Sequence, residues 1–308
     1  MSDRVLVVGG TGLIGSTVAE HLAERGDAVT IMARRPAGES DPPGVAGMPR
    51  LVGDYAEDDL DAVSLDGFDA VVFAAGADIR HIPADVDETA FWDRTQGVGV
   101  PRFAEAARRA GVGRFVQIGS YYHQLHPEWA ESIPYVAARK AADERTRALS
   151  DDGFAAITVN PPSIVGAVPG RSLRGWGRMI SWVRGELDAP EVFAPPGGTN
   201  YMSARSLAQA VAGALANGEG GRAYLVGDAN LTYRAYFQLI ADVAGSDEVI
   251  VERDAEQPFQ PDRFIVQGRG RVIAYEPDAA DTALLGYARD DVESALERIV
   301  HASDGVTR

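Results

Sequence analysis

The sequence contains no cysteine. Disulfides, thiolate nucleophiles and cysteine-ligated metals are therefore excluded. It also holds only one lysine, Lys140, among 29 basic residues; all the others are arginine. No apolar run approaches the roughly 18 residues that a membrane-spanning helix needs. Positive charge is scarce, since 29 Lys and Arg face 45 Asp and Glu for a formal net charge of −16. That balance argues against nucleic acid as the main partner, because phosphate backbones call for a basic surface. The five histidines are scattered apart from His123 and His126. Pro127 follows that pair and no carboxylate cluster surrounds it, so a loop or core role is expected rather than a metal site. The opening residues carry Asp3 and Arg4 before a short apolar run that ends in glycines. This reads as a buried strand rather than a signal peptide, and the protein is expected to be cytoplasmic.

What is present is ordinary for a globular protein: 45% hydrophobic and 24% charged residues over a length of 308. The first half alternates short apolar runs with helical spacing. Strands are expected at Arg4–Val8, Ala28–Ala33, Leu51–Gly53, Ala70–Ala74, Arg114–Ile118 and Ala155–Val159. Helices are expected at Leu13–Glu24, over about 88–110 with a break near Gly97–Pro101, and at Pro134–Leu149. This βαβ rhythm implies an α/β fold: a Rossmann doubly wound parallel sheet with helices on both faces. The runs lack period-two alternation, as strands covered on both faces do. The second half is less regular. Helices are expected near 203–215, 232–243 and 290–301, with a strand at Arg222–Val226. The division expected is a cofactor-binding domain over 1–165 with a return near 200–230, and a substrate lobe from 166–199 and 231–308.

Gly9-Gly10-Thr11-Gly12-Leu13-Ile14-Gly15 follows the first strand and opens the first helix. In that context the glycines read as a dinucleotide loop. Gly9 permits the tight turn, Gly12 lets the backbone approach a pyrophosphate, and Gly15 allows close helix–sheet packing. The helix N-terminus then presents amides to the phosphates, so an acidic protein can still hold an anion there. At the end of the second strand, where NAD-binding folds place an acid for the ribose 2′-hydroxyl, the chain reads Ala33-Arg34-Arg35. Two guanidinium groups suit a 2′-phosphate. NADP(H) is therefore preferred, with NAD(H) as the other choice.

These features resemble the extended or atypical short-chain dehydrogenase/reductase superfamily, in its NAD(P)-dependent epimerase/dehydratase-like branch. The resemblance rests on the Thr11–Gly15 loop, Gly53-Asp54-Tyr55, Phe73-Ala74-Ala75-Gly76, Gly113–Ser120, Val159–Gly166, Asn200–Ser203 and Tyr224–Asp228. It implies that Asp54 contacts adenine, that Ala75 and Gly76 pass the cofactor ribose, and that Pro161 and Ile164 lie near the nicotinamide. It further implies an active-site Ser120 and a Tyr-x-x-x-Lys pair, whose Tyr exchanges the proton while Lys lowers its pKa and binds the ribose. Here Tyr135 and Lys140 stand five apart. In a regular helix that separates them by about 140°, against about 40° for a spacing of four.

Three readings of Tyr135 and Lys140 stay open. They converge through a π-bulge or a Tyr135 placed ahead of the helix; or Lys140 holds the ribose while Tyr121 or Tyr122 supplies the phenol; or the tyrosine function is lost. The sole lysine favours a function for Lys140, because Arg139, at the expected spacing, does not shift its pKa readily.

The leading expectation is an enzyme, an NADPH-dependent reductase or dehydrogenase of a small carbonyl or hydroxyl compound, using Ser120, Tyr135 and Lys140. The alternatives are a sugar-nucleotide epimerase/dehydratase and a non-catalytic NADP(H)-binding sensor or regulatory protein. Expected partners are a small-molecule substrate and, by fold analogy alone, a second copy in a homodimer; nucleic acid and membrane are not expected. Tyr121, Tyr122, His123, Trp176, Trp182 and Tyr201 are candidate pocket walls. The arginine-rich stretch 171–184 suits either an anionic substrate or a solvated helix face.

Overall fold

The computed structural model describes residues 3–58, 60, 64–83, 85–169, 171–187 and 191–306. The strands, in chain order, are β1 (Arg4–Val8), β2 (Ala28–Ala33), β3 (Arg50–Val52), β4 (Ala70–Phe73), β5 (Arg114–Ile118), β6 (Ala155–Asn160), β7 (Ser163–Val165), β8 (Phe193–Ala194), β9 (Gly198–Ser203), β10 (Ala223–Leu225), β11 (Ala229–Thr232) and β12 (Val251–Glu252). The α-helices are α1 (Leu13–Glu24), α2 (Glu88–Trp92), α3 (Gly99–Arg109), α4 (Tyr122–Leu125), α5 (Pro134–Arg147), α6 (Arg171–Val183), α7 (Ala204–Asn217), α8 (Tyr233–Val243), α9 (Ala279–Leu285) and α10 (Val292–Val306).

The chain forms two compact units. The first comprises Met1–Pro161, Leu207–Val226 and Asp278–Tyr287. Its seven-stranded sheet has the order β3-β2-β1-β4-β5-β6-β10, parallel throughout. This is the doubly wound Rossmann order, and the strand sequence reverses between β1 and β4, where such sheets bind ligands. The central strands are apolar because helices cover both faces. Leu6, Val71, Phe73, Phe103, Phe115 and Ala156 are fully buried in one cluster. The second unit comprises Pro162–Ser206, Gly227–Pro277 and Ala288–Arg308. It contains a three-stranded sheet, β11-β9-β7, and the β8–β12 pair. Its core gathers Trp182, Tyr233, Phe237, Ile240 and Leu296.

The unit boundaries differ from those expected. The return to the first unit spans 207–226 rather than 200–230, because β9 pairs with β7 and β11. A second return, 278–287, came from the stretch assigned to the lobe; there Gly213 of α7 lies so close to Leu285 that a Cβ would sit 1.9 Å from its carbonyl oxygen.

The helical stretch expected over 88–110 is continuous in a particular way. Between α2 and α3 lies a π-turn, Asp93–Val98. Its looser winding leaves carbonyls without i+4 partners. The Tyr55 hydroxyl donates to Thr95 O at 2.8 Å and Arg145 Nη1 to Gly97 O at 2.9 Å. Pro101 causes no break because α3 restarts at Gly99, which puts the proline in a first turn where its missing N–H has no intrahelical partner to lose. Among the described residues no helix is long and apolar enough to cross a membrane.

Candidate active site

The glycine loop closes a tight turn between β1 and α1. Gly9 has φ +82°, a left-handed conformation, and a Cβ there would stand 2.7 Å from Ala75 Cα. At Gly15 a Cβ would stand 2.2 Å from Gly9 O, so only hydrogen lets α1 approach the turn. Gly12 is the N-cap, and it offers no side chain to the helix's first amides. The donors of Leu13, Ile14 and Gly15 are thus left for an anion, with Thr11 half-buried beside them. The shape fits a dinucleotide pyrophosphate.

At the end of β2, Ala33 O accepts from Gly53 N at 3.0 Å. Arg34 and Arg35 are exposed and make no ion pair among the described residues. Arg50, by contrast, is bound to Asp41 at 2.7 Å and to Arg35 O at 3.2 Å. Asp54 turns one carboxylate oxygen onto its own turn, accepting from Ala56 N at 3.0 Å. Ala75, after β4, lies against the glycine turn, and Gly76 lies against Arg139 and Gln96. Pro161 ends the first unit and accepts from Tyr121 N at 3.3 Å. Ile164 lies in β7, in the second unit.

Ser120 follows β5 and is 5% exposed. Its amide donates to Asn160 Oδ1 at 2.8 Å, and Asn160 Nδ2 donates to Gln124 at 2.8 Å. Asn160 therefore fixes the backbone that carries the serine. Gly119 is required at this point, because a Cβ would fall 1.8 Å from that amide oxygen. Tyr135 lies within α5, one residue after Pro134, with its phenol buried near the Ser120 side chain. Its ring is packed by Trp92, with centroids 4.9 Å apart, and by Tyr122 at 6.3 Å. Burial pushes the phenol's pKa above its ordinary value, while the neighbouring Arg139 charge and the Ser120 side chain pull it back.

Of the three readings of the tyrosine–lysine spacing, the bulge is corrected. Helix α5 is a regular α-helix, so Tyr135 and Lys140 are on different faces. The cation beside Tyr135 is Arg139, whose guanidinium carbon lies 5.9 Å from the ring centre. Arg139 is 7% exposed and donates to Ile118 O and Gly119 O and, at 3.1 Å, to Gln96 Oε1. Gln96 Nε2 in turn donates to Ala77 O at 2.9 Å. Lys140 is half-buried. Sequence reasoning missed Arg139, Gln96 and Asn160 as site residues. The spacing of four from Tyr135 marked Arg139, whereas nothing marked Gln96 except its isolation among small residues.

His123 and the pocket-wall aromatics divide. Tyr121 and Tyr122 pack with tilted rings whose centroids are 4.2 Å apart, and Tyr122 lies 6.3 Å from Tyr135. Trp182 and Tyr201 are core of the second unit, Tyr201 lying 4.0 Å from Tyr236. Trp176 Nε1 donates to Gly166 O at 3.0 Å. The 171–183 stretch is a helix. His123 is buried and its Nε2 donates to Asp143 Oδ2 at 2.7 Å. Burial alone would raise the Asp143 pKa, but the bonds from His123 and Arg147 override it and hold the carboxyl at about 2. An acid depressed in the fold contributes stability that is complete above its unfolded value, near 3.8, and is lost as pH falls through about 2. Wild type should exceed Asp143→Asn by about 2 kcal/mol more at pH 6 than at pH 2. Urea unfolding at a series of pH values checks this, and a gap constant with pH would refute it.

Comparison with known proteins shows the family and the fold. The model of the NAD dependent epimerase/dehydratase family matches residues 5–227. A UDP-glucose 4-epimerase of Streptomyces lividans is 31% identical over 182 residues, 54% of this chain and 54% of that protein. The chain thus spans about half the length of that relative. The UDP-N-acetylglucosamine 4-epimerase from Methanobrevibacter ruminantium M1, solved with UDP-N-acetylmuramic acid, superposes with a TM-score of 0.74 at 17% identity, covering 99% of both chains. The Bordetella bronchiseptica enzyme WbmH, solved with NAD+, gives 0.70 at 19% identity over 100% of both.

Proposed function

The chain belongs to the NAD dependent epimerase/dehydratase family, and from that premise we propose that it is a sugar-nucleotide epimerase or dehydratase. Such an enzyme takes a hydride from a secondary alcohol carbon and returns it within one catalytic cycle. The observation that carries this reading is the buried Tyr135 phenol placed near Ser120 at the carboxyl end of β5, in the same unit as a glycine turn shaped for a dinucleotide. The family match and the Streptomyces relative favour it over the net reductase expected from the sequence.

In this reading the α1 amides from Leu13 to Gly15 hold the pyrophosphate, and Ala75, Gly76 and Asp54 flank the adenosine half. When bound, the nicotinamide supplies hydride exchange with the substrate carbon, and its oxidised ring adds positive charge near the phenol. Ser120 donates a hydrogen bond to the substrate oxygen. Tyr135 passes its proton to that oxygen when a carbonyl is reduced, and takes it back when an alcohol is oxidised. Asn160 and Gly119 keep Ser120 in line with the phenol. Trp92 and Tyr122 exclude water from the phenol, so its proton goes to substrate rather than to solvent. Incubation with UDP-glucose or UDP-N-acetylglucosamine tests the reading. The expected result is an epimerised or dehydrated nucleotide sugar with no net change in nicotinamide absorbance.

A second reading, the NADPH-dependent reductase, is favoured by one feature. Ala33 stands where an acid would exclude a 2′-phosphate, and Arg34 and Arg35 are exposed and unpaired beside it among the described residues. NADP(H) is accordingly the cofactor we propose. The double variant Arg34→Ala/Arg35→Ala should weaken NADPH binding about 30-fold or more and leave NADH within about threefold, since each lost guanidinium–phosphate bond costs about 1–3 kcal/mol. Fluorescence titration decides it; equal losses for both nucleotides would remove the preference.

A further inference from the structure

Arg139 is buried with its guanidinium shared among three segments. It reaches the end of β5 through Ile118 O and Gly119 O, and the π-turn through Gln96 Oε1. It also lies against the segment after β4, where a Cβ on Gly76 would stand 2.7 Å from its Nη1. Gln96, wholly buried, carries the chain of bonds on to Ala77 O. Only a flat fork with several fixed donors makes these bonds together; an ammonium on a flexible stem has no such geometry. The same guanidinium sits 5.9 Å from the centre of the Tyr135 ring. Lys140, the next residue, is turned about 100° further around the helix.

We propose that Arg139, braced by Gln96, is the residue that positions Tyr135 and Ser120 for proton transfer, and that Lys140 is not. This rests on the proton-transfer roles proposed above. The brace joins the carboxyl ends of β4 and β5, the two strand ends that must keep register around the reacting oxygen. The π-turn is its anchor, since its extra residue turns Gln96 to full burial. Arginine keeps its charge at every working pH. The charge facing the phenol from α5 is therefore constant, and among the described residues it is also faced by Tyr122, with ring centroids 6.3 Å apart, and by Asp78 and Arg80, paired at 2.5 Å on the segment after β4.

The test uses protein labelled with 3-fluorotyrosine, whose phenol ionises at lower pH than tyrosine's. Tyr135→Phe identifies the Tyr135 fluorine resonance, and its pH midpoint is then read without substrate. Arg139→Gln should raise that midpoint by about half a pH unit or more, with Arg139→Lys falling between it and wild type. Gln96→Leu should shift the resonance, and Lys140→Gln should leave both shift and midpoint in place. In turnover, Arg139→Gln should lower kcat about 100-fold while KM and NADPH affinity stay within about threefold. A midpoint unmoved by Arg139→Gln, or moved by Lys140→Gln, overturns the proposal. If Arg139→Gln does not fold, Arg139→Lys and Gln96→Leu give the same readouts. Full turnover by Tyr135→Phe would overturn the proton-donor assignment instead, while the fluorine midpoint would still decide which cation acts on Tyr135.

Discussion

Tyr135→Phe should lower kcat by about 10²–10⁴ with the folded state and NADPH affinity unchanged. The phenol is buried near Ser120, and the ring is packed by Trp92 and Tyr122. Phenylalanine keeps that packing and removes only the exchangeable proton. The expected stability change is small, because the ring remains and one hydroxyl bond of about 1 kcal/mol is lost. A raised phenol pKa also sets the pH dependence. The group stays protonated through neutrality, so carbonyl reduction should stay flat across pH 6–9, about the range below the ordinary tyrosine value. Steady-state kinetics with a thermal melt and a cofactor titration checks all three expectations. Retention of wild-type kcat would move the proton-donor role to Tyr121, Tyr122 or a water.

The second large effect is expected at Gly15. Valine there should weaken NADPH binding by more than about 100-fold and cost about 3 kcal/mol of stability. Even the first carbon of a side chain would lie 2.2 Å from Gly9 O and 2.7 Å from Gly9 C. Both are backbone atoms of the turn, so relief requires α1 to shift along the sheet or the turn to open. Either movement withdraws the amides at the helix start from the phosphates. Urea unfolding and cofactor fluorescence separate the two contributions. Wild-type affinity in Gly15→Val would show that the turn does not hold the cofactor.

The Rossmann half was legible because its signals are local. β1, β2 and β5 have the ends read from their apolar runs. The second unit was less legible. β9 and β11 carry the polar residues Asn200 and Asn230, whose side chains make hydrogen bonds that no periodicity announces. In the late return to the first unit, α9 was missed because its seven residues depend on the Asp278 cap rather than on a long apolar stripe.

The sequence pointed to Ser120 and Tyr135, which the structure brings near one another, but it did not give the register of the cation beside them. The lone lysine drew attention to Lys140, and the fork of Arg139 was set aside for lacking a tunable pKa. A spacing of four on a regular helix was the better guide, because it fixes which side chain can lie against Tyr135. A π-bulge in α5 was one of the readings left open; α5 is regular, and a π-turn occurs at Asp93–Val98 instead. No single-residue signal distinguishes those two helices; the difference lies in Tyr55 and Arg145, distant side chains that stabilise the freed carbonyls.

The position of Lys140 has a practical consequence. An endoproteinase specific for lysine has one target bond in this chain, between Lys140 and Ala141, and it lies in the interior of α5. A protease cannot cut a backbone held in a helix, so the chain resists until that helix opens. Cleavage then yields two fragments, residues 1–140 and 141–308. Digestion therefore becomes a clock for the opening of the helix that carries Tyr135 and Arg139. Cofactor that binds the closed form should slow it in proportion to occupancy.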